Sequence, residues 1–266
     1  MLDQFNRKLS YLRISVTDRC NFRCIYCMPA EGVELKSHDD ILSYLEIAEV
    51  VKVGVRLGIT KIRLTGGEPL VRKDIVQLVK MISQINGIEE IGMTTNGVFL
   101  SKYAKELKSA GLNRVNISLD TVDPVKFRKI SRVGNLQDVL QGIDAAIEAE
   151  LLPVKINFVR IKDQNLEDEI AVANFCKQKG LQLRFIRQMN LKTGEFFPVE
   201  GGDGGICNIC NRLRLTADGY IVPCLHSGER FSIKELGIEQ AFIMAAKLKP
   251  AKGTGTETHV FSNIGG

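Results

Sequence analysis

The stretch Cys20-Asn21-Phe22-Arg23-Cys24-Ile25-Tyr26-Cys27 sets three thiols three and then two residues apart, with no fourth cysteine nearby. Thiolates are the usual holders of iron-sulfur clusters, and three of them can grip one cube of iron and sulfide. A trio leaves one iron without a protein ligand, so that iron is open to a substrate or cofactor and the stretch points to chemistry rather than simple electron carriage. The Cys-x-x-Cys pair inside it also fits half of a zinc site or a dithiol redox pair. Against zinc, the stretch follows the apolar run Leu12-Arg13-Ile14-Ser15-Val16 and has no histidine close by.

A second trio, Cys207, Cys210 and Cys224, stands far along the chain and should hold a separate centre. It suits another 4Fe-4S cluster with an open iron, or zinc completed from outside, with His226 the nearest candidate. Between its members, Arg212 and Arg214 alternate with Leu213 and Leu215, and a strand would turn both guanidiniums to one face. Forked donors of that kind match phosphate oxygens.

The elements that must position these groups alternate. Short β-branched runs over residues 12–16, 61–65, 91–95, 114–119, 154–159 and 182–186 are separated by helical patterns over 40–57, 74–85, 102–109, 136–150 and 166–179. Such alternation gives right-handed crossovers and a parallel sheet. The predicted fold class is α/β, a partial (β/α)6 barrel. Asp39 or Asp40 would cap the first long helix, and Ile41, Leu45, Ala48 and Val51 would form its apolar stripe. Gly58, Gly87, Gly111 and Gly180 each follow a helix, where a left-handed residue ends it. The barrel is expected over residues 1–189, a Gly-rich linker over 190–206 and a small cluster-binding extension over 207–266, whose tail from 250 reads as disordered.

In a parallel barrel reactive groups collect at the carboxyl ends of the strands. There the second strand runs into Thr65-Gly66-Gly67-Glu68-Pro69, where paired glycines admit close backbone approach and Glu68 can accept from an ammonium. The next two strands end in Thr94-Thr95-Asn96-Gly97 and Ser118-Leu119-Asp120, suited to ribose or carboxylate groups, although Asn96-Gly97 is equally a plain turn. Arg13, Arg63, Lys155 and Arg184 lie within strands. If they face the interior they need anionic partners, which a triphosphate would supply.

Composition narrows the setting. The chain has 266 residues, 44% hydrophobic and 25% charged, enough for one large core, and a net charge of +5 is too small to argue for nucleic acid. No apolar run is long enough for a bilayer, and the first residues lack the order of a signal peptide, so a cytoplasmic protein with no membrane association is expected. Seven cysteines, six in two tight groups and Cys176 alone, fit metal binding in a reducing compartment.

The first trio, with an aromatic before its third cysteine, resembles the signature of the radical S-adenosylmethionine superfamily. The flanking Thr17-Asp18-Arg19 and Met28-Pro29, and the long match from Asn211 to Gly219, resemble its GTP 3′,8-cyclase family. That resemblance implies two 4Fe-4S clusters, on Cys20, Cys24 and Cys27 and on Cys207, Cys210 and Cys224. It implies S-adenosylmethionine held by Tyr26, Gly66, Gly67, Glu68, Ser118 and Met189. It further implies GTP bound by Arg13, Arg63, Thr94, Lys155, Arg212 and Arg214, and a C-terminal Gly265-Gly266 reaching into the site. No side chain is assigned as a general acid or base. An electron donor such as flavodoxin or ferredoxin and a downstream cyclic pyranopterin phosphate synthase are the implied partners, and a homodimer is left open. Departures from the family pattern are the short 190–206 segment, Gly205-Ile206 where an aromatic is usual, and Arg187-Gln188 where an acidic residue is usual. They keep in view a related two-cluster enzyme acting on another nucleotide or a peptide. The Gly66-Gly67-Glu68-Pro69 turn argues against a third reading, a non-catalytic electron-transfer protein.

Overall fold

Alternation of side chains along each strand builds two chemically different faces, and the site follows from that split. In the computed structural model, which describes residues 1–161 and 165–256, β1 (Tyr11–Ser15), β2 (Lys61–Thr65), β3 (Glu90–Thr95), β4 (Arg114–Ser118), β5 (Lys155–Arg160) and β6 (Gln182–Arg187) form successive parallel neighbours. Leu12, Ile14, Ile62, Leu64, Ile91, Met93, Val115, Ile117, Ile156 and Phe158 are buried in the hydrophobic core. The residues between them on the other face are polar or small, among them Arg13, Ser15, Arg63, Gly92, Thr94, Asn116 and Asn157. A barrel interior of that character holds a cavity where an ordinary one is filled with apolar side chains.

The crossover helices are α1 (Tyr44–Arg56), α2 (Ile75–Ser83), α3 (Leu100–Ser109), α4 (Pro124–Ser131), α5 (Leu136–Glu148) and α6 (Leu166–Lys179). The expected strands and helices are present, with ends shifted by a few residues. Helix α1 starts later than expected. Its cap is Ser43, not Asp39 or Asp40: the Ser43 hydroxyl accepts from Glu46 N at 3.2 Å while Glu46 Oε2 accepts from Ser43 N at 2.7 Å. His38–Asp40 form a short 3₁₀ turn instead. The apolar face moves with the cap: Ile47, Ala48, Val50, Val51 and Val53 are buried, whereas Leu45 is 76% exposed and Ile41 precedes the helix. Helix α4 was not expected at all, although Asp123 accepts from Val125 N and Lys126 N at 2.8 Å each and Pro124 opens the first turn.

After β6 the chain does not simply run on as a tether. Phe185 and Glu200 exchange backbone hydrogen bonds of 3.0 and 3.1 Å, as do Asn190 and Glu195 at 2.9 and 3.1 Å. The C-terminal segment then enters the same sheet. β7 (Arg212–Leu215) lies parallel to β1 on the side away from β2, followed by antiparallel β8 (Tyr220–Val222) and β9 (Phe231–Ser232), α7 (Ile233–Leu236) and α8 (Ile238–Lys247). The resulting order is β6-β5-β4-β3-β2-β1-β7-β8-β9. The Arg-Leu alternation foretells the strand but carries no information about its partner. Residues 250–256 are tied down, with Arg7 donating to Pro250 O at 2.7 Å and Thr256 N to Leu191 O at 2.7 Å. The Gly265-Gly266 tail lies outside the described residues.

Candidate active site

Register decides which cations meet. Arg13 stands opposite Arg63 on one side and Arg214 on the other, and Arg63 in turn faces Gly92, which faces Arg114. Four arginines therefore share one row across five strands. Gly92 leaves room for the head of Arg63, because a Cβ there would lie 2.9 Å from the Arg63 guanidinium carbon. Arg63 is only 2% exposed, and its Nε donates to Tyr11 Oη at 2.7 Å.

This row lines a cavity of about 260 Å³ together with Lys61, Arg184 and Arg212. Among the described residues lining it, Asp203 is the one carboxylate, paired with Arg212 at 2.8 Å. Arg114 pairs with Glu90. Burial, and then the neighbouring Arg214, pull Arg13 well below the ordinary arginine value, and burial pulls Arg214 down to about 10. Arg184 Nε and Asn157 Oδ1 are buried with no hydrogen-bond partner. Such a lining fits a polyanion, which would relieve the crowding of like charges. Lys155 is not on the cavity wall. It shares the interior face with Asn157 near the start of β5, and after burial its lowered pKa comes from Arg184, Arg114 and Arg63.

Cys207, Cys210 and Cys224 open onto the same cavity. Arg7 fixes their loop from behind, donating to Cys207 O at 2.7 Å while its Nε pairs with Asp3 at 2.6 Å. Lys249, 2% exposed, donates to Arg212 O at 2.8 Å and Pro223 O at 2.6 Å. Burial raises the Cys210 thiol, but Lys249 and other donors more than offset it and leave the thiol below its usual value; Cys224 remains raised by burial.

The first trio opens onto a neighbouring cavity of about 220 Å³. Burial pushes Cys20 up to about 11 and Cys24 to about 12, with Cys27 and Cys20 adding to the effect at Cys24. Thiolates that repel one another in this way are stabilised by a cationic iron centre, which the donor set suits. No group of three or more His, Cys, Asp or Glu among the described residues is arranged around a single metal ion.

Gly66 and Gly67 line this cavity, but their smallness serves first to seat the cysteine loop. Cβ atoms there would lie 2.5 Å from Thr17 O and 2.3 Å from Arg19 O. Glu68, 1% exposed, accepts from Leu70 N at 3.0 Å, the Thr95 hydroxyl at 2.7 Å and Asn96 N at 2.6 Å. One acceptor position of four remains for a ligand ammonium. Burial raises its pKa to about 7. Tyr26 donates to Asp120 Oδ2 at 2.5 Å, and Asp120 Oδ1 accepts from Val159 N at 2.7 Å. Ser118 completes this wall, and α4 adds Phe127, Ile130 and Ser131.

Thr94, Asn157, Ile186 and Met189 line both cavities, so the cavities onto which the two trios open adjoin one another. Sequence reasoning named Asp120 within a strand end without giving it a role, and missed Asn157, Arg114, Lys249 and the α4 residues. Strand parity with Ser118 and with Lys155 could have found Arg114 and Asn157; nothing in the sequence marks Lys249. Arg187 and Gln188 line the first cavity, with the Arg187 guanidinium 5.2 Å from the Phe197 ring, and Gly205 and Ile206 line the second.

The family model for the radical SAM superfamily matches residues 14–176. The chain is 44% identical to the GTP 3′,8-cyclase of Thermodesulfovibrio yellowstonii, with 94% of each chain covered. It is 42% identical to the GTP 3′,8-cyclase of Moorella thermoacetica, covering 95% of this chain and 94% of that one. Among solved structures it is similar to Streptococcus suis SuiB bound to S-adenosylmethionine, at a TM-score of 0.65 and 16% identity over 86% of this chain and 64% of that one. Methylornithine synthase is a further likeness, at a TM-score of 0.56 and 16% identity over 95% of this chain and 75% of that one. Both structural likenesses concern the fold.

Proposed function

The chain belongs to the GTP 3′,8-cyclase family of the radical SAM superfamily, and from that premise we propose that it converts GTP to (8S)-3′,8-cyclo-7,8-dihydroguanosine 5′-triphosphate. This is the entry reaction of molybdenum-cofactor biosynthesis. The observation that supports the reading is the adjacency of the two cavities: each has a cysteine trio in its lining, four residues line both, and a cation row lines the second.

Cys20, Cys24 and Cys27 would hold one 4Fe-4S cluster and Cys207, Cys210 and Cys224 the other. When bound, the first cluster with S-adenosylmethionine would supply one-electron radical chemistry directed at the ribose 3′ position. The chain's own residues do the positioning. Glu68, with Gly66 and Gly67, receives the methionine amino group at its remaining acceptor position, and Tyr26 and Ser118 flank the nucleoside. Arg13, Arg63, Arg212 and Arg214 hold the triphosphate, with Lys155 adding its field from the base of β5. Thr94 and Met189, which line both cavities, keep cofactor and ribose in contact and water out. That exclusion matters because an alkyl radical reacts with whatever lies beside it.

The implied partners are a one-electron donor of the flavodoxin or ferredoxin type and a synthase that takes the cyclised product onward. No described helix is long and apolar enough to cross a membrane. Iron-sulfur chemistry and unpaired cysteines fit the reducing cytoplasm. The deciding experiment incubates anaerobically reconstituted protein with GTP, S-adenosylmethionine and a reductant, and weighs the products. A cyclised GTP product is expected. Cleavage of the cofactor without that product would transfer the chain to a related radical enzyme of other substrate.

A further inference from the structure

The second cysteine trio has beside it a cation that the reading above leaves without a task. Lys249, just beyond α8, is 2% exposed, and its ammonium donates to Arg212 O at 2.8 Å and Pro223 O at 2.6 Å. An ammonium has three donors. The remaining one meets Cys210, with which Lys249 shares a side-chain hydrogen bond. Arg212 follows Cys210 closely and Pro223 immediately precedes Cys224, so the amine ties the chain just after one thiol to the chain just before another.

A buried charge needs an opposite one, and for Lys249 no carboxylate supplies it. Among the described residues it takes part in no ion pair. Asp3, behind the same loop, is engaged by Arg7 at 2.6 Å, and Asp203, on the cavity wall, by Arg212 at 2.8 Å. The negative fields that reach Lys249 are those of Cys210 and Cys224. Arg214 also lies near these thiols, but it stands in the strand row that would meet phosphate. Lys249 is bound through its three hydrogens before any ligand arrives.

A 4Fe-4S core on three thiolates is anionic and becomes more so when it takes an electron. Net charge and hydrogen bonds to the sulfurs set the potential of such a centre, and a buried cation beside it acts through a low dielectric. We propose that Lys249 is the built-in counter-cation of the second centre, a positioning residue that joins Cys210 to Cys224 and by its charge favours the reduced form. The assignment rests on the two-cluster reading above and adds to it the residue that sets the second cluster's charge.

The test is a potentiometric titration, followed by electron paramagnetic resonance, of full-length protein carrying Cys24→Ala and Cys27→Ala, so that the second trio alone holds a cluster. In this background Lys249→Gln keeps a donor and loses the charge, Lys249→Met loses both, and Lys249→Arg keeps both. Lys252→Met, which removes an exposed charge close by in the chain, is the control. At a fixed potential the ratio of reduced to oxidised cluster should fall about tenfold in Lys249→Gln and Lys249→Met, a midpoint about 59 mV lower. Lys249→Arg and Lys252→Met should keep the parent midpoint. Loss of cluster iron from the Gln and Met variants while Arg retains it supports the same assignment. A parent midpoint in Lys249→Gln with only Met lowered makes the lysine a neutral donor and overturns it. Parent midpoints throughout, or the same shift in Lys249→Arg or Lys252→Met, overturn it as well. Loss of iron from all three Lys249 variants overturns it in favour of a lysine that serves the fold alone. In each of these cases the two-cluster reading stands; if the parent's second trio takes up no iron-sulfur cluster, the two fall together.

Discussion

Replacing Gly67 by alanine should disable the first cysteine trio without unfolding the protein. The new Cβ would stand 2.3 Å from Arg19 O, where ordinary contact begins near 3.4 Å, so the turn and the cysteine loop must part by about 1 Å. The obstruction is a fixed Cβ against a backbone carbonyl, and no rotamer change relieves it. Two hydrogen bonds cross the same seam, Gly67 N to Thr17 O and Glu68 N to Arg19 O, each 2.8 Å. Weakening both costs about 1 to 3 kcal/mol of stability. Displacing reacting groups by about 1 Å costs roughly a hundredfold in rate. The assay is anaerobic formation of 5′-deoxyadenosine, read beside iron content and a thermal unfolding scan. Gly180→Ala is the control: its φ of +66° makes alanine strained, yet nothing lies within 4 Å, so about 1 to 2 kcal/mol of stability is lost while 5′-deoxyadenosine formation persists. Parent-level cofactor cleavage by Gly67→Ala would refute the claim that this contact seats the trio.

Two further outcomes follow from the electrostatics. Burial lifts Glu68 from 4.5 to about 7, so its favourable contribution is present below about pH 4.5 and is lost as pH rises through about 7, a loss of about 3 kcal/mol. Unfolding of the metal-free protein followed across that range should show a shallower decline for Glu68→Gln than for the parent, with Asp120, raised by burial to about 6, keeping part of the slope; parallel curves would contradict this. Asp203, paired with Arg212 at 2.8 Å, has a side chain 66% exposed, so Asp203→Asn should free the guanidinium and tighten tripolyphosphate binding by only a few-fold, as calorimetry would register; weaker binding would mean that Asp203 orders the loop rather than competing with phosphate.

The sequence made legible what is local in the chain. Both cysteine trios, the Gly66-Gly67-Glu68 turn and the alternation in Arg212 to Leu215 are short patterns, and they line two adjoining cavities. What is made by distant contact was not legible. Lys249 lies just beyond the end of a helix and becomes part of the second trio's surroundings only because β7 pairs with β1 and brings Arg212 O and Pro223 O to its amine. Gly92 reads as a weak point in a strand until its register against Arg63 is known. The 190–206 segment has no hydrophobic period to read, because it packs by single aromatic contacts such as Phe196 on His226 and by short backbone bridges.

Those bridges bear on solubility as well as chemistry. β6 ends the sheet, and an uncovered terminal strand offers its amides and carbonyls to any other extended chain. At Phe185 both backbone groups are already taken by Glu200 of the same molecule, so the loop that walls the cation-lined cavity also shields that border from intermolecular pairing. Cutting or lengthening this loop would thus promote self-association at the same time as it opened the cavity to water.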